Sequence, residues 1–516
     1  MLRAALQRGL DVLDRVPLGS RYQPGAQRIG LLQRWYAAQP KQRIIVAVVE
    51  LERAVEEPAL ESAVRALCAY HPYALGVCLA RDVEQLSTRP LTPADPVPLH
   101  AAGELDAWAL AEELVHLPFQ PGAPLFRIAR ADQGKRLVCA FDHIMFDGIS
   151  AAQCACALAR SIAASTPPAP ARDEPLPAAT DNAQRAAATD LQRAAATDLQ
   201  RAAATDMQRA AATDMQRAAA ADMPLPAAND GLEFADNRHA AAAQRPARLE
   251  RSAPLPPPAA DADAHLPLDA RLDLRPSAAQ LVRALRAQPA PVPPLTARAT
   301  SAPLRTRIAR HEIKSMDTER LRARAHREGV SLHAAISSCA LLAAAQALDV
   351  DHGRLRLHTP ISLRARCRPE PRDFGVFIAG VDSDLDVTAS SDPWNLARQY
   401  SDQLTRDKPD APGQLGLLAL GGDLRERAEK LERQQHGRTA TLEVSNVGRV
   451  LDVPDGTVVW LTQGAHYHSP LLVLTLVESA GVVRACLSAP QPLVDDARIE
   501  RFTQALREKL RQASRS

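Results

Sequence analysis

The chain has 516 residues, 46% of them hydrophobic, and a formal net charge of +2 at pH 7. That length suffices for two or three domains around a large core, while so small a net charge argues against a field built for nucleic acid or an anionic membrane surface. The eight cysteines form no C-x-x-C pair and lie mostly in apolar stretches, so we expect reduced core thiols and a cytoplasmic protein.

Met1 to Val16 intersperse Arg and Asp with Leu, the pattern of an amphipathic helix without the apolar run of a secretory signal or the acid-poor composition of a mitochondrial presequence. Residues 43–52 read as a strand. Pro58 then opens a helix whose apolar positions, Leu60, Val64, Leu67 and Cys68, fall on one face, and Tyr70-His71-Pro72 closes it. A turn-rich segment, Leu117 to Pro124, leads into a strand at Leu125 to Ile128, expected to pair with the apolar run Leu137 to Phe141.

That run enters Phe141-Asp142-His143-Ile144-Met145-Phe146-Asp147-Gly148-Ile149-Ser150, and an alanine-rich helix to about Ser165 leaves it. The stretch is a strand-loop-helix junction. A neutral imidazole at a strand end is able to take a proton from a hydroxyl or amine attacking a carbonyl, which makes His143 the candidate general base. Asp147 either orients that imidazole or faces away and holds the loop through an arginine, while Gly148 allows the backbone to turn. The plainer alternative is a strand-end histidine followed by an aspartate that only caps the helix.

Residues 166–305 are dominated by proline and alanine with little apolar periodicity, and we expect a largely unstructured insertion. Within it an octapeptide repeats over 184–223, beginning Gln184-Arg185-Ala186-Ala187-Ala188-Thr189-Asp190-Leu191. At ~100° per residue the Leu or Met of each copy rotates by about 80°, so no apolar seam forms and a coiled coil is not expected.

From about residue 306 the globular pattern returns. Thr318 to Arg327 is a charged helix with Leu321 and Ala325 inward; Gly329 ends it, and Ser331 is placed to cap an apolar helix to about Leu348, which falls short of a bilayer span of ~20 apolar residues. A strand at Leu355 to Leu363 leads to the cluster Arg364, Arg366, Arg368 and Arg372, where a coenzyme A phosphate or an acidic helix is one reading and a solvated basic surface the other. Thr439 to Val444 reads as a strand ending in Ser445-Asn446-Val447-Gly448. A hairpin around Ser479-Ala480-Gly481 and a helix from Asp495 to Arg511 complete a second α/β unit. His466 and His468 fall on one strand face without an evident third ligand, so no metal site is assigned.

Several of these segments, taken in order, resemble the acyltransferase superfamily that includes chloramphenicol acetyltransferase, the condensation domains of nonribosomal peptide synthetases, alcohol acetyltransferases, polyketide-associated acyltransferases and wax ester synthases. The HHxxxDG motif is matched by Asp142-His143-Ile144-Met145-Phe146-Asp147-Gly148, with Asp142 replacing the first histidine. Weaker likenesses are Tyr70-His71-Pro72-Tyr73-Ala74-Leu75, Gly329-Val330-Ser331-Leu332, Pro360-Ile361-Ser362-Leu363-Arg364 and Val444-Ser445-Asn446-Val447-Gly448. Asp373-Phe374-Gly375-Val376-Phe377 matches the D-F-G-W-G of the plant branch only by half. The resemblance covers nearly the whole chain outside 166–305.

The resemblance implies an α/β fold of two chloramphenicol acetyltransferase-like subdomains, residues 1–165 and 306–516, in a V-shaped arrangement around a central tunnel, with 166–305 inserted between them. It further implies an acyl donor bound as a thioester of coenzyme A or of the phosphopantetheine arm of an acyl carrier protein, with no tightly bound cofactor. The acceptor is a small-molecule hydroxyl or amine, and the protein is a monomer. On this likeness His143 is the base, and Asp147 is a scaffold residue paired with Arg364. Ser445 is the candidate oxyanion donor, with Gly148 and Asn446 as supporting positions; alternatively Ser445 and Asn446 shape a turn before Gly448. No G-x-S-x-G elbow occurs, which favours direct transfer over a serine acyl-enzyme. Two other functions remain open: a condensation-type enzyme joining carrier-bound substrates, and a non-catalytic relative that binds a ligand.

Overall fold

The computed structural model describes residues 30–72, 74–80, 87–102, 105–165, 268–274, 276–277, 279–280, 303–371, 373–388, 390–418, 423–433, 438–450, 453–465 and 470–515. The N-terminal amphipathic stretch, Tyr73, the octapeptide repeat, Arg372 and the His466/His468 pair lie outside them. Met1–Thr166 and Ala253–Ser516 belong to one compact unit.

Two open mixed sheets organise the described residues. The first holds β1 (Ile44–Glu50), β4 (Leu99–His100), β5 (Phe126–Ala131), β6 (Arg136–Asp142) and β11 (Val458–Gln463) in the order β11-β1-β6-β5-β4. A two-stranded ribbon, β2 (Val77–Ala80) with β3 (Ser87–Arg89), stands apart from it. The second sheet holds β7 (Arg305–Ile313), β8 (His352–Ser362), β9 (Ile378–Thr388), β10 (Leu442–Arg449), β12 (Leu472–Ser479) and β13 (Val482–Gln491) in the order β7-β13-β12-β10-β8-β9. β6 pairs with β5 as the apolar runs suggested, Phe141 opposite Phe126. Both faces of the first sheet's centre are covered, so β1 and β6 are buried along almost their whole length instead of alternating.

The helices are α1 (Leu31–Ala38), α2 (Glu57–Tyr70), α3 (Ala107–Leu114), α4 (Gly148–Ser165), α5 (Leu268–Arg271), α6 (Ser315–Arg327), α7 (Leu332–Ala347), α8 (Pro393–Asp407), α9 (Ala411–Gly416), α10 (Leu424–Arg433) and α11 (Asp496–Arg515). Their ends carry the expected chemistry. The Ser331 hydroxyl accepts a hydrogen bond from the Ala334 N–H at the start of α7, and Gly329, at φ +71°, lets α6 stop in a left-handed turn. α7 is apolar on every side because every side is buried. No single helix among the described residues is long and apolar enough to cross a membrane. All eight cysteines are free and buried.

The structure revises one expectation from the sequence and refines another. The N-terminal sheet is not assembled from the first 165 residues alone, since β11 crosses from the C-terminal half and pairs with β1, Trp460 opposite Val48. Within 166–305, expected to be largely unstructured, a short part packs into the core. Leu268 and Leu274 are buried in the larger core, the Arg271 guanidinium donates to the Pro369 carbonyl at 2.6 Å, and the Arg368 N–H donates to the Arg271 carbonyl at 3.0 Å. The Leu268, Leu272 and Leu274 spacing carried this contact, hidden among prolines.

Candidate active site

β6 ends at Asp142, and its hydrogen bonds to neighbouring chain aim the following loop. The His143 N–H donates to the Arg43 carbonyl at 2.9 Å, just before β1, and the Asp142 carboxylate accepts the Ile144 N–H at 3.1 Å. Asp142 and His143 therefore serve different sides of the chain. Asp142 shapes the turn from within it, while His143 faces a small cavity of about 60 Å³.

Four residues on, Asp147 is completely buried and accepts four hydrogen bonds. Arg364 grips it through both guanidinium arms, at 2.8 and 2.9 Å; the Ser150 N–H donates to Oδ1 at 2.8 Å and the Phe377 N–H to Oδ2 at 3.0 Å. Of the readings of Asp147, the arginine pairing and the helix cap are realised together. Ser150 and Gly375 tighten the same knot: the Ser150 hydroxyl donates to the Gly375 carbonyl at 2.9 Å, and the Arg364 guanidinium donates to that hydroxyl at 2.7 Å. Burial works to raise the Asp147 carboxyl, but the Arg364 charge and these hydrogen bonds prevail and hold it below its ordinary value.

Gly148 serves packing, not backbone turning. Its φ lies outside the left-handed region, and a Cβ there would come within 3.2 Å of a Val447 methyl and 3.6 Å of a Leu461 methyl. The glycine lets the C-terminal half approach the head of α4.

His143 is treated in the opposite way to Asp147. It is 4% exposed, its ring is stacked on Tyr36 at 4.4 Å between centroids, and Nδ1 has no hydrogen-bond partner among the described residues. Burial, aided by the nearby Arg43 charge, pushes its pKa down to about 4, so the imidazole is neutral at pH 7. Burial also pushes the Tyr36 phenol up to about 12.

The cavity is shared between the halves. Leu32, Tyr36, Arg43 and His143 line it from the N-terminal side, and His358, Gly380, Glu443 and Gln463 from the C-terminal strands. The buried Glu443 carboxylate accepts a hydrogen bond from Gln463 Nε2 at 2.6 Å, so β11 delivers a side chain to this wall as well as an edge to the first sheet. His358 Nδ1 lies 2.6 Å from Asp382 Oδ1. Burial, the largest influence, lowers the His358 pKa, but the hydrogen bond and charge of Asp382, with Glu443, raise it on balance.

Of the sequence candidates, His143, Asp147, Gly148 and Arg364 come together. Ser445 and Asn446 do not line the cavity. Ser445 lies beside Gly148, its hydroxyl 3.9 Å from where a Cβ on that glycine would stand; Asn446 is exposed and its side-chain oxygen accepts the Gly448 N–H at 2.9 Å. Glu443 is the residue of this strand that lines the cavity; Ser445, two positions on and on the same face, lies further along, beside Gly148. Of the described arginines of the cluster, Arg364 holds Asp147, Arg366 donates to the Pro409 carbonyl at 3.2 Å, and the exposed Arg368 donates to the Ala365 carbonyl at 2.8 Å. No group of three metal-ligating side chains occurs among the described residues. Sequence reasoning missed Tyr36, Arg43, His358, Glu443 and Gln463. Only α1 left a local signal, its apolar Leu31, Leu32, Trp35 and Tyr36, whereas the others converge from four separate segments.

Residues 302–484 match the family described as phthiocerol/phthiodiolone dimycocerosyl transferase C-terminus. No curated protein matches the chain by sequence. Among solved structures, it is similar to polyketide synthase associated protein 5 from Mycobacterium tuberculosis, at 14% identity and a TM-score of 0.54 over 95% of this chain and 98% of that one. It is equally similar to the epimerization domain of the third module of tyrocidine synthetase B, at 13% identity and a TM-score of 0.54 over 96% and 98%. The cyclization-docking bidomain EpoB from Sorangium cellulosum follows at 15% identity and a TM-score of 0.54 over 98% and 90%. Two α/β halves with a histidine loop between them define a condensation-domain fold. The chain has that fold, and its residues 302–484 match a transferase family.

Proposed function

We propose that the chain transfers an acyl group from a thioester to a hydroxyl or amine, with His143 as general base. The observation that carries this is a buried, neutral imidazole facing a cavity between two halves, on a loop locked by the Asp147–Arg364 pair. The acceptor's O–H or N–H gives its proton to His143 as oxygen or nitrogen bonds to the thioester carbonyl carbon. The carbonyl π pair moves to oxygen; it then returns as the C–S bond breaks, and the His143 imidazolium protonates the departing thiolate. Because the imidazole is uncharged well below pH 7, it holds the form a base needs across the physiological range.

The match over residues 302–484 favours this reading over amide formation between carrier-bound substrates. The test is release of free thiol from acyl-coenzyme A of graded chain length, and from the same acyl groups on a carrier protein, with alcohol and amine acceptors. Parent protein releases thiol in an acceptor-dependent way, and His143→Ala lowers that rate by about 10²–10⁴-fold. Equal rates for parent and His143→Ala overturn the assignment. Turnover confined to carrier-bound donors moves the chain to the condensation type.

A further inference from the structure

The proposed reaction passes through a tetrahedral oxyanion, and Ser445, the sequence candidate for stabilising it, does not line the cavity. His358 does. Its Nδ1 is held by Asp382 at 2.6 Å, and Asp382 is itself 3.5 Å from the Arg356 guanidinium, so the imidazole is fixed in the ladder that pairs β8 with β9, His358 opposite Asp382. The Cε1 edge of the ring abuts Gly380: a Cβ on that glycine would fall 2.2 Å from the ring carbon between the nitrogens and 2.8 Å from Nε2. A histidine held at one nitrogen and cradled by a glycine leaves its other nitrogen for a ligand. Nε2 has no hydrogen bond to any described residue. His143 and His358 line the same cavity from opposite halves, so a carbonyl bound there lies between the two walls.

We infer that His358, held by Asp382 on the wall contributed by the C-terminal half, donates a hydrogen bond from Nε2 to the oxyanion formed when the thioester is attacked. This rests on the acyl-transfer reading above. His358 gives up no proton in the step: it donates to the carbonyl oxygen as negative charge develops there, while the acceptor's proton goes to His143 and later to the leaving sulfur. With Nδ1–H committed to Asp382, Nε2 carries a proton only in the imidazolium form. The groups facing the ring are Asp382 and Glu443, which favour that form, Arg43, which opposes it, and the neutral His143; Arg356 sits behind Asp382. One cavity thus holds two histidines whose surroundings push them apart, one toward the base and one toward the hydrogen-bond donor, the division by which acid and base roles are told apart.

The test combines rate, pH profile and titration on the full chain. With His143→Ala confirming acyl transfer, His358→Leu lowers kcat on the order of 10²-fold with KM changed less than threefold. His358→Gln, whose amide donates at every pH, recovers a part of that loss and abolishes the parent's decline of kcat at high pH. Asp382→Asn moves that decline to lower pH, and Gly380→Ala, which displaces the ring, reproduces the loss. Far-ultraviolet circular dichroism confirms that each variant is folded. Independently of turnover, nitrogen-15 resonances of the imidazoles, assigned by loss in His358→Gln and His143→Gln, show His358 titrating above the ordinary histidine value of ~6.5 and His143 well below it. The inference is overturned if His358→Leu keeps the parent's kcat and pH profile while His143→Ala is inactive, or if His358 titrates below His143. If His143→Ala is as active as the parent, the acyl-transfer reading fails and this one with it.

Discussion

His143 and Asp147 stand four residues apart on one loop, both buried, and the protein handles them in opposite ways. Asp147 keeps its charge because every lone pair finds a donor, two of them from a guanidinium of the other half. His143 is left with an aromatic ring beside it and no hydrogen-bond partner at Nδ1 among the described residues, so burial strips its charge. The difference teaches how a rigid loop presents a base. A charge that is fully satisfied holds the backbone, and a neighbour that is deliberately unsatisfied keeps its chemistry for a ligand.

Breaking the satisfied member tests the comparison most severely. Asp147→Asn removes the anion but leaves the Arg364 guanidinium largely buried, and urea unfolding is expected to show a loss of roughly 3–5 kcal/mol; replacing both, Asp147→Asn with Arg364→Met, is expected to cost less than either single change. Equal costs would mean that the pair is not what locks the loop.

The unsatisfied member is tested by acid. A histidine whose pKa falls to about 4 in the folded protein contributes stability in full above the unfolded value of ~6.5 and loses it as pH falls through 4. A shift of that size amounts to about 3 kcal/mol per group. His116, His311 and His333 are pushed to about 4 by burial as well and lose stability in the same window. His143→Gln is therefore expected to flatten the decline of unfolding free energy between pH 6.5 and pH 4 by part of the total, without abolishing it. Asp147 adds a loss of its own only below its ordinary range near pH 3.8, where its depressed carboxyl finally protonates. The activity profile sharpens the same point, since thiol release is expected to hold down to about pH 4 to 5 instead of halving near pH 6.5.

Smaller effects separate packing from polarity at the loop. Gly148→Ala pushes a methyl against Val447 at 3.2 Å and is expected to cost about 1–3 kcal/mol by thermal unfolding. Asn446→Ala loses one exposed turn hydrogen bond to the Gly448 N–H and is expected to change stability by no more than about 1 kcal/mol, with thiol release unaltered. A large loss of activity in Asn446→Ala would return that residue to the active site.

The legible parts of the sequence were those governed by neighbours along the chain. The α2 face through Leu60, Val64 and Leu67, the Ser331 cap, the Gly329 stop and the hairpin at Ala480 and Gly481 each depend on a few adjacent residues and appear as read. The Asp147–Arg364 pair spans 217 positions and was reached only through the family likeness, not through spacing.

What the sequence determined by itself is therefore the set of helices and strands, the histidine loop and the apolar surfaces that must be buried, because backbone geometry and hydrophobic periodicity are local. The tertiary structure alone decided that β11 completes the sheet of the other half, that Leu268 and Leu274 anchor a proline-rich segment, and that Tyr36, Arg43, His358, Glu443 and Gln463 surround one cavity. Those residues come from five segments with no common period. Their proximity, and with it the opposite charge preferences of His143 and His358, exists only once two sheets have packed and water has been excluded between them.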